Sequence, residues 1–278
     1  MKLKKTLPPN RSFEQIQNHY LVEKAIADRI KVSSLEDRKL IYATMYDELF
    51  GKVPDHPRLT RRDNEQLTLI ANKNKLATLS GLIDQSTVFA EFGPGDCRFA
   101  MEVAKYVNCA YGIDISDQRN PNHNAPDNFK LIIYDGYSLE GIEENSIDIL
   151  FSDQIIEHFH PEETQLHFQL AYRILKKGGK YIFITPHAFR GPHDVSAYFS
   201  DEPECFHLKE WTYAELHQIL SQLGYSKLDS YWCAKSIKFR MPNFYFEVCE
   251  KVLGLFPRQY IRVVAKYLIP NIFCATIK

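Results

Sequence analysis

Residues 91–96 read Glu-Phe-Gly-Pro-Gly-Asp, and they lie between an apolar run, Thr87 to Phe92, and an amphipathic stretch, Phe99 to Val107. The apolar run predicts a buried strand and the amphipathic stretch predicts a helix. The two glycines let the backbone turn sharply and approach a ligand closely. At the helix start, backbone N–H groups point outward. This unit predicts the beginning of an α/β domain with a binding loop after its first strand.

The same alternation of strand and helix continues along the chain. Four further strands are predicted at Cys109 to Ile115, Phe129 to Tyr134, Ile147 to Ser152 and Lys180 to Thr185, with a helix at Pro161 to Lys176. Strands alternating with helices imply right-handed crossovers and a parallel sheet. In such sheets ligands bind outside the carboxyl ends of the strands. The polar residues that follow each strand are therefore the candidates for a binding site.

Acidic residues follow three of these strands. Asp114 ends the second strand, about 20 residues past the glycine turn, where a carboxylate can accept two ribose hydroxyls. Asp135-Gly136 follows the third strand and Asp153-Gln154 follows the fourth. A nicotinamide-binding turn would need a third glycine at position 98, which is Arg98. The pattern predicts a nucleotide-like cofactor, and ordinary turns remain the alternative at each position.

Five motifs together resemble the class I S-adenosylmethionine-dependent methyltransferases, in the group that includes ubiquinone-biosynthesis-type and small-molecule enzymes. They are Glu-Phe-Gly-Pro-Gly (91–95), Asp114, Asp135, Gln-Ile-Ile-Glu-His-Phe (154–159) and Leu-Lys-Lys-Gly-Gly (175–179). The resemblance spans residues 87–230. It implies a Rossmann-like seven-stranded sheet, the cofactor S-adenosyl-L-methionine, and O- or N-methylation of a metabolite, sugar, quinone-like compound or lipid.

The resemblance also implies the residues that hold the cofactor. The loop of Glu91, Phe92, Gly93, Pro94 and Gly95 would pack against the methionine moiety. Asp114 would bind the ribose hydroxyls, with Ile115 against the adenine. Asp135 would bond the adenine amino group beside Gly136, and Asp153 and Gln154 would lie near the sulfonium and the cofactor's amino group. Similar enzymes often carry an aromatic lid, for which Tyr46 is the candidate, with plain packing as the alternative.

Histidines after the fifth strand are the candidates for a catalytic base. A sulfonium already makes its methyl group electrophilic, so the enzyme must align the acceptor, exclude water and remove a proton. His193, in a Gly-Pro-His-Asp turn, ranks first, followed by His187 and His207. A loop histidine without a catalytic role is the alternative for each. His158 lies within a motif of the resemblance, which favours a scaffold or cofactor role.

Helical segments flank this domain on both sides. Residues 1–86 predict an N-terminal helical lid region, with Asn64 capping one helix, and residues 87–278 predict the methyltransferase domain. The tract at 58–62, Arg-Leu-Thr-Arg-Arg, is either a solvated loop or an anion site. Lys227 to Ala234 and Ile272 to Ile277 predict the sixth and seventh strands, with a helical insertion between them at about 236–270.

The insertion lies in a basic stretch. From Tyr231 onward there are eight basic and two acidic side chains, a balance of +6. This predicts a cap over the acceptor cleft that meets an anionic or lipid-borne acceptor, or makes peripheral contact with a membrane. The alternative is a helical pair docked on the domain with a solvated basic side.

Composition excludes several other classes of protein. A net charge of −1 disfavours a general nucleic-acid binder. The longest apolar stretches are too short for a spanning helix, and the N-terminus carries no secretory signal, so a cytoplasmic enzyme is expected. Six cysteines without a Cys-x-x-Cys pair and no convincing carboxylate cluster predict no metal site. A non-catalytic binding subunit and a nucleotide-dependent oxidoreductase remain the alternative functions. The sequence does not predict the oligomeric state.

Overall fold

The computed structural model describes residues 1–62, 64–120, 124–234 and 237–278. Within these ranges four helices precede the sheet: α1 (Phe13–Val32), α2 (Leu35–Lys52), α3 (Pro57–Arg62) and α4 (Glu65–Thr78). The Asn64 side chain accepts the Leu67 N–H at 3.1 Å, which confirms the predicted cap. None of the described helices has the length and apolar character needed to cross a membrane.

The described strands form one mixed sheet in the order β3-β2-β1-β4-β5-β8-β6-β7. Their bounds are β1 (Val88–Phe92), β2 (Cys109–Asp114), β3 (Phe129–Ile133), β4 (Ile147–Asp153), β5 (Leu175–Thr185), β6 (Lys227–Ala234), β7 (Ile237–Met241) and β8 (Ile272–Ile277). The strands from β3 to β5 pair in parallel, and β8, β6 and β7 pair antiparallel. The order reverses between β1 and β4, the position where α/β sheets bind ligands.

The α/β Rossmann-like class is confirmed, but the prediction of seven strands is wrong. The described sheet has eight because the insertion begins with β7, which pairs with β6 with Trp232 opposite Phe239. Two helices then complete the insertion, α8 (Asn243–Leu253) and α9 (Arg258–Leu268). Ser236, the predicted first residue of the insertion, lies outside the described residues.

Three helices pack on the sheet itself: α5 (Arg98–Ala104), α6 (Pro161–Ile174) and α7 (Tyr213–Gln222). The central strands bury large side chains on both faces, as parallel strands between helices do. Phe89, Phe151, Tyr181 and Phe183 are fully buried. Because this core is continuous beneath the loops, it supports the carboxyl ends of β1, β2 and β4 as a rigid edge.

A buried ion pair docks the N-terminal helices over that edge. Arg38 of α2 donates from Nε to Glu163 of α6 at 2.5 Å. The hydroxyls of Tyr42 and Tyr137 donate to the same carboxylate at 2.7 and 2.5 Å. A buried arginine with its carboxylate partner is costly to separate, so this junction sets where α2 lies relative to the sheet.

Candidate active site

A pocket opens at the carboxyl ends of β1 and β2, beneath the N-terminal helices. Of the residues predicted to bind the cofactor, six line it: Tyr46, Gly93, Gly95, Asp114, Ile115 and Gly136. Tyr42, Met45 and Arg58 line it from the side of α2 and α3, and Ile155, His158 and Phe159 from the loop after β4. The pocket therefore lies where the strand order predicts it.

The loop after β1 requires glycine at two positions. Gly93 and Gly95 have φ values of +62° and +57°, in the left-handed region that side chains disfavour. A Cβ at Gly93 would lie 2.0 Å from Cδ1 of Ile155, whereas one at Gly95 would meet no atom within 4 Å. Position 93 is thus closed by packing, and position 95 leaves its space open for a ligand.

Asp114 places a buried carboxylate in this pocket. The residue is 6% exposed, and it accepts the N–H of Gly95 at 3.1 Å and that of Ser116 at 3.3 Å. Burial raises the pKa of Asp114, against the opposing effect of these backbone N–H groups and of Arg58. The carboxylate retains lone pairs for ribose hydroxyls, which is the contact that the resemblance implies.

Tyr46, the candidate for the lid, lines the pocket from α2. Its ring stacks on Phe50 at 5.8 Å between centroids and meets Phe206 edge-on at 5.9 Å. The guanidinium of Arg58 lies 5.0 Å from the centre of the Tyr46 ring. Arg58 belongs to the basic tract at 58–62; the side chains of Arg61 and Arg62 lie outside the described residues. One member of that tract therefore brings a positive charge to the pocket.

S-adenosyl-L-methionine fits the residues of this pocket. The glycine loop leaves open space at Gly95, Asp114 supplies acceptors at the end of β2, and Ile115 supplies an apolar surface beside it. The aromatic ring of Tyr46 and the cation of Arg58 face the same space from the N-terminal helices. These groups match the sugar, base and charged amino-acid parts of the cofactor.

The other six predicted cofactor residues lie outside the lining: Glu91, Phe92, Pro94, Asp135, Asp153 and Gln154. The Asp135 carboxylate accepts the N–H groups of Tyr137 and Ser138 at 2.8 and 2.7 Å, so it caps its own turn. Asp153 forms an ion pair with Lys75 of α4 at 2.9 Å. These side chains shape the loops around the pocket, and their contacts with the cofactor stay predictions.

Glu91 lies beneath the loop rather than in the pocket. Burial raises its pKa to about 7, although the nearby Lys75 lowers it. Phe92 packs behind the pocket, 4.6 Å between ring centres from His167, which lines it. Both residues support the loop from below.

His187 lies away from the pocket. It is fully buried, with Nε2 2.7 Å from Glu250 of α8, and its Nδ1 accepts the N–H of Phe189 at 3.1 Å. Since both ring nitrogens bond within the protein, neither faces an acceptor. The predicted base at this position therefore joins the end of β5 to the insertion.

His193 and His207 meet at one carboxylate, that of Glu210. The Nδ1 of His193 lies 3.1 Å from Oε2, and the Nδ1 of His207 lies 2.8 Å from Oε1. Burial raises the pKa of Glu210, but hydrogen bonds with the two histidines outweigh it and bring the pKa to about 2. A Cβ at Gly191 would lie 1.6 Å from this carboxylate, which explains the glycine before Pro192. We call His193, His207 and Glu210 the Glu210 cluster.

His158 connects the pocket to the Glu210 cluster. It lines the pocket, and its ring centre lies 5.0 Å from that of His207. Burial lowers the pKa of His158 to about 3, and Nδ1 donates to the carbonyl of Phe206 at 2.9 Å. Sequence reasoning placed His158 in a shared motif and left Glu157 and Glu210 without a role. His158 and His207 are far apart in the sequence, so only the fold brings them together.

Comparison with known proteins supports the class. Residues 90–183 match a family model described as a methyltransferase domain. A search of the curated proteins found no match. A solved structure of Haemonchus contortus phosphoethanolamine N-methyltransferase 1, with phosphoethanolamine and S-adenosylhomocysteine, is 14% identical, with a TM-score of 0.56 over 88% of this chain and 50% of that one.

Two other solved structures share the fold. A SAM-dependent methyltransferase from Archaeoglobus fulgidus is 17% identical over 78% of this chain and 96% of that one, with a TM-score of 0.50. A putative methyltransferase from Haloferax volcanii, in complex with the Trm112 activator, is 15% identical over 74% and 88%, with a TM-score of 0.50. The fold is that of the class I methyltransferases. Residues 90–183 are therefore a methyltransferase domain within this fold, and its cofactor is S-adenosyl-L-methionine.

Proposed function

We propose that the enzyme methylates an oxygen or nitrogen atom of a small-molecule acceptor that lies between the cofactor pocket and the Glu210 cluster. The observation that supports this is the position of His158, which lines the pocket and lies next to His207. An acceptor at this junction has one side toward the cofactor and the other toward titratable groups. Neither an oxidoreductase nor a non-catalytic subunit needs that arrangement.

In this proposal, different residues bind the cofactor, exclude water and accept the proton of the acceptor. The cofactor supplies an electrophilic methyl group when bound. Gly95 and Asp114 hold and orient the cofactor, and Tyr46 excludes water above it. His193 has a partly exposed side chain, 23% accessible, and its Nδ1–H donates to Glu210. This leaves the lone pair of Nε2 to accept the proton of the acceptor, and the carboxylate stabilises the resulting cation.

The test is a screen of cell extract with labelled cofactor, which shows the metabolite that gains a methyl group, followed by turnover of His193→Gln. Removal of a general base lowers turnover by about 10²- to 10⁴-fold, while the affinity for S-adenosylhomocysteine stays unchanged. His217→Gln is the control, because the Nδ1 of His217, like that of His193, lies beside a carboxylate, but His217 is on α7, outside the lining of the cofactor pocket. Equal turnover in both variants would exclude His193 as the base.

We also propose that the α8–α9 hairpin brings the enzyme to a membrane surface. Apolar side chains are exposed at helical spacing on both helices and in the turn between them. They include Phe244, Val248 and Val252 on α8, Leu255 and Phe256 in the turn, and Tyr260, Val263 and Tyr267 on α9. Leu255, at the tip, is 81% exposed. Apolar and aromatic residues flanked by lysines suit the boundary between lipid headgroups and acyl chains.

The structure changes the expected basis of this contact. Three of the eight basic residues pair with acids outside the stretch: Arg258 with Glu202, Arg262 with Asp201 and Arg240 with Asp229. The positive charge available to an anionic surface is therefore smaller than the balance of +6 that the sequence gives for this stretch. The insertion was also predicted to cap the acceptor cleft. None of the residues that line the pocket belongs to the described part of the insertion. The helix α8 packs instead on α7, where Phe246 stacks on Tyr213 at 3.9 Å.

Flotation with phosphatidylcholine vesicles, with and without phosphatidylserine, tests this contact. The intact enzyme is expected to float with both kinds of vesicle, and Leu255→Ser with Phe256→Ser to stay in solution. Leu21→Ser is the control, since Leu21 is an exposed leucine on α1. If the intact enzyme does not float, the membrane contact is excluded. If the tip variant instead turns a dimer into a monomer, the hairpin pairs two copies.

A further inference from the structure

Three side chains with metal-binding atoms meet beside the pocket: Glu157, His158 and His207. One ligand atom from each lies within 4.8 Å of the other two. Glu157 and His158 belong to the short turn after β4, and His207 comes from the loop before α7. Tetrahedral ligands with bonds of about 2.1 Å lie about 3.4 Å apart, so small side-chain rotations bring the three atoms to one ion.

The hydrogen bonds of the two histidines leave the correct nitrogens available. The Nδ1 of His158 lies 2.9 Å from the carbonyl oxygen of Phe206, which can only accept, so Nδ1 carries the proton. The Nδ1 of His207 donates in the same way to the Glu210 carboxylate at 2.8 Å. In the neutral form of each ring the lone pair is on Nε2. Burial lowers the pKa of His207, but the hydrogen bond with Glu210 raises it to about 9, so an ion that binds there displaces a proton. Metal-binding histidines show this pattern, with the second nitrogen donating to a carbonyl or a carboxylate.

Glu157 supplies an independent observation. The residue is 0% exposed, and its Oε2 accepts the hydroxyl of Thr185 at 2.8 Å. Its Oε1 is buried and has no hydrogen-bond partner among the described residues. A buried carboxylate oxygen without a partner costs free energy of folding. A cation between Glu157 and the two histidines would satisfy it.

A neighbouring group of similar composition, His19, Glu23 and His56, does not leave its ring nitrogens available in the same way. Arg11 lies 3.0 Å from the Nδ1 of His19, and because arginine only donates, that nitrogen is the acceptor. The proton of His19 is therefore on Nε2, which lies 2.7 Å from Glu23. Hydrogen bonds from Arg11 and to Glu23 therefore already occupy both ring nitrogens of His19, and this group does not offer the same ligands.

We propose that Glu157, His158 and His207 bind one divalent transition-metal ion and leave a coordination position open toward the pocket. Two imidazoles and one carboxylate are ligands that Zn²⁺ and Fe²⁺ both take, with open positions for substrate. Mg²⁺ and Ca²⁺ prefer sites built from oxygen atoms. His158 lines the pocket, so the open position faces the space assigned to the acceptor, where an oxygen or nitrogen atom of that molecule can bind.

The experiment uses the full chain, stripped of metal with a chelator. Elemental analysis of the protein as purified distinguishes zinc from iron. Calorimetry with ZnCl₂, and with Fe²⁺ under argon, measures the stoichiometry and affinity, and Co²⁺ absorption reports the coordination geometry. We expect one ion per chain and at least a tenfold weaker affinity in Glu157→Gln and His207→Gln. His217→Gln is the matched control and should bind like the intact protein.

The outcomes separate this site from the cofactor pocket. S-adenosylhomocysteine affinity, measured on the same samples, is expected to survive in both variants, which shows that they are folded. Absence of stoichiometric binding to the intact chain would overturn the proposal, and so would Zn²⁺ and Fe²⁺ affinities that both variants retain. The Co²⁺ spectrum of the intact protein decides the matter if a variant does not fold, because a four- or five-coordinate band requires a formed site.

Discussion

Asp114→Asn is the most direct test of how the pocket holds its cofactor. The substitution keeps the size of the side chain but replaces one carboxylate oxygen with an NH₂ group that cannot accept a hydrogen bond. In the structure the two oxygens of Asp114 accept backbone N–H groups from the glycine loop and from Ser116. The variant therefore loses acceptors needed both for the loop and for the ribose hydroxyls.

The size of the effect follows from the burial of this carboxylate. Leaving a buried polar partner unsatisfied costs about 1–3 kcal/mol, which corresponds to about 5- to 150-fold weaker binding. The free energy of unfolding of Asp114→Asn should not fall together with its cofactor affinity. Because burial raises the pKa of Asp114 in the folded state, the ionised form is disfavoured there, and a neutral amide removes that penalty above the unfolded pKa.

Calorimetry with S-adenosylhomocysteine measures the affinity, and thermal unfolding checks the fold. Asp117→Asn is the control, since Asp117 is an acid of the same loop that forms an ion pair with Arg119. The control should bind like the intact enzyme. Wild-type affinity in a folded Asp114→Asn variant would refute the assignment of the ribose site to the end of β2.

Three further predictions test the surroundings of the pocket. Asp135→Asn should change cofactor affinity by less than about 0.5 kcal/mol, because its carboxylate caps a turn; a loss as large as that at Asp114 in calorimetry would instead support the adenine contact. Glu163→Ala should lower the urea-measured free energy of unfolding by about 3–5 kcal/mol, because it removes the buried carboxylate that Arg38 and two tyrosine hydroxyls share, whereas Glu162→Ala, which removes only an exposed partner of Arg38, should not. Burial raises the pKa of Glu23, but hydrogen bonds from two histidines bring it to about 2, below its ordinary 4.5. Its stabilisation is therefore present above pH 4.5 and lost as the pH falls through about 2, so Glu23→Gln should flatten the acid limb of a stability–pH curve.

Features that depend on neighbours along the chain could be predicted from the sequence. The positions of the first six strands, the cap at Asn64, the glycine turn and the acid that ends β2 all follow from local patterns and spacing. The residues of a strand or a turn largely specify it, so a short stretch of sequence is enough to predict it. The same reasoning missed β7, since a short polar-apolar strand at a sheet edge pairs only with a partner that the tertiary fold supplies.

Side-chain direction could not be predicted in this way. His187 follows β5 as expected, yet Glu250 from the insertion turns it into a buried link, while Glu210 gathers His193 and His207. The partners of His187 and His193 lie 63 and 17 residues further along the chain, so no local pattern predicts these orientations. Local patterns predicted the class of fold and the edge of the sheet at which a ligand is expected, and the family resemblance added the cofactor. Which side chains face that edge depends on the tertiary structure, because burial makes each polar group take the partner that packing brings within reach.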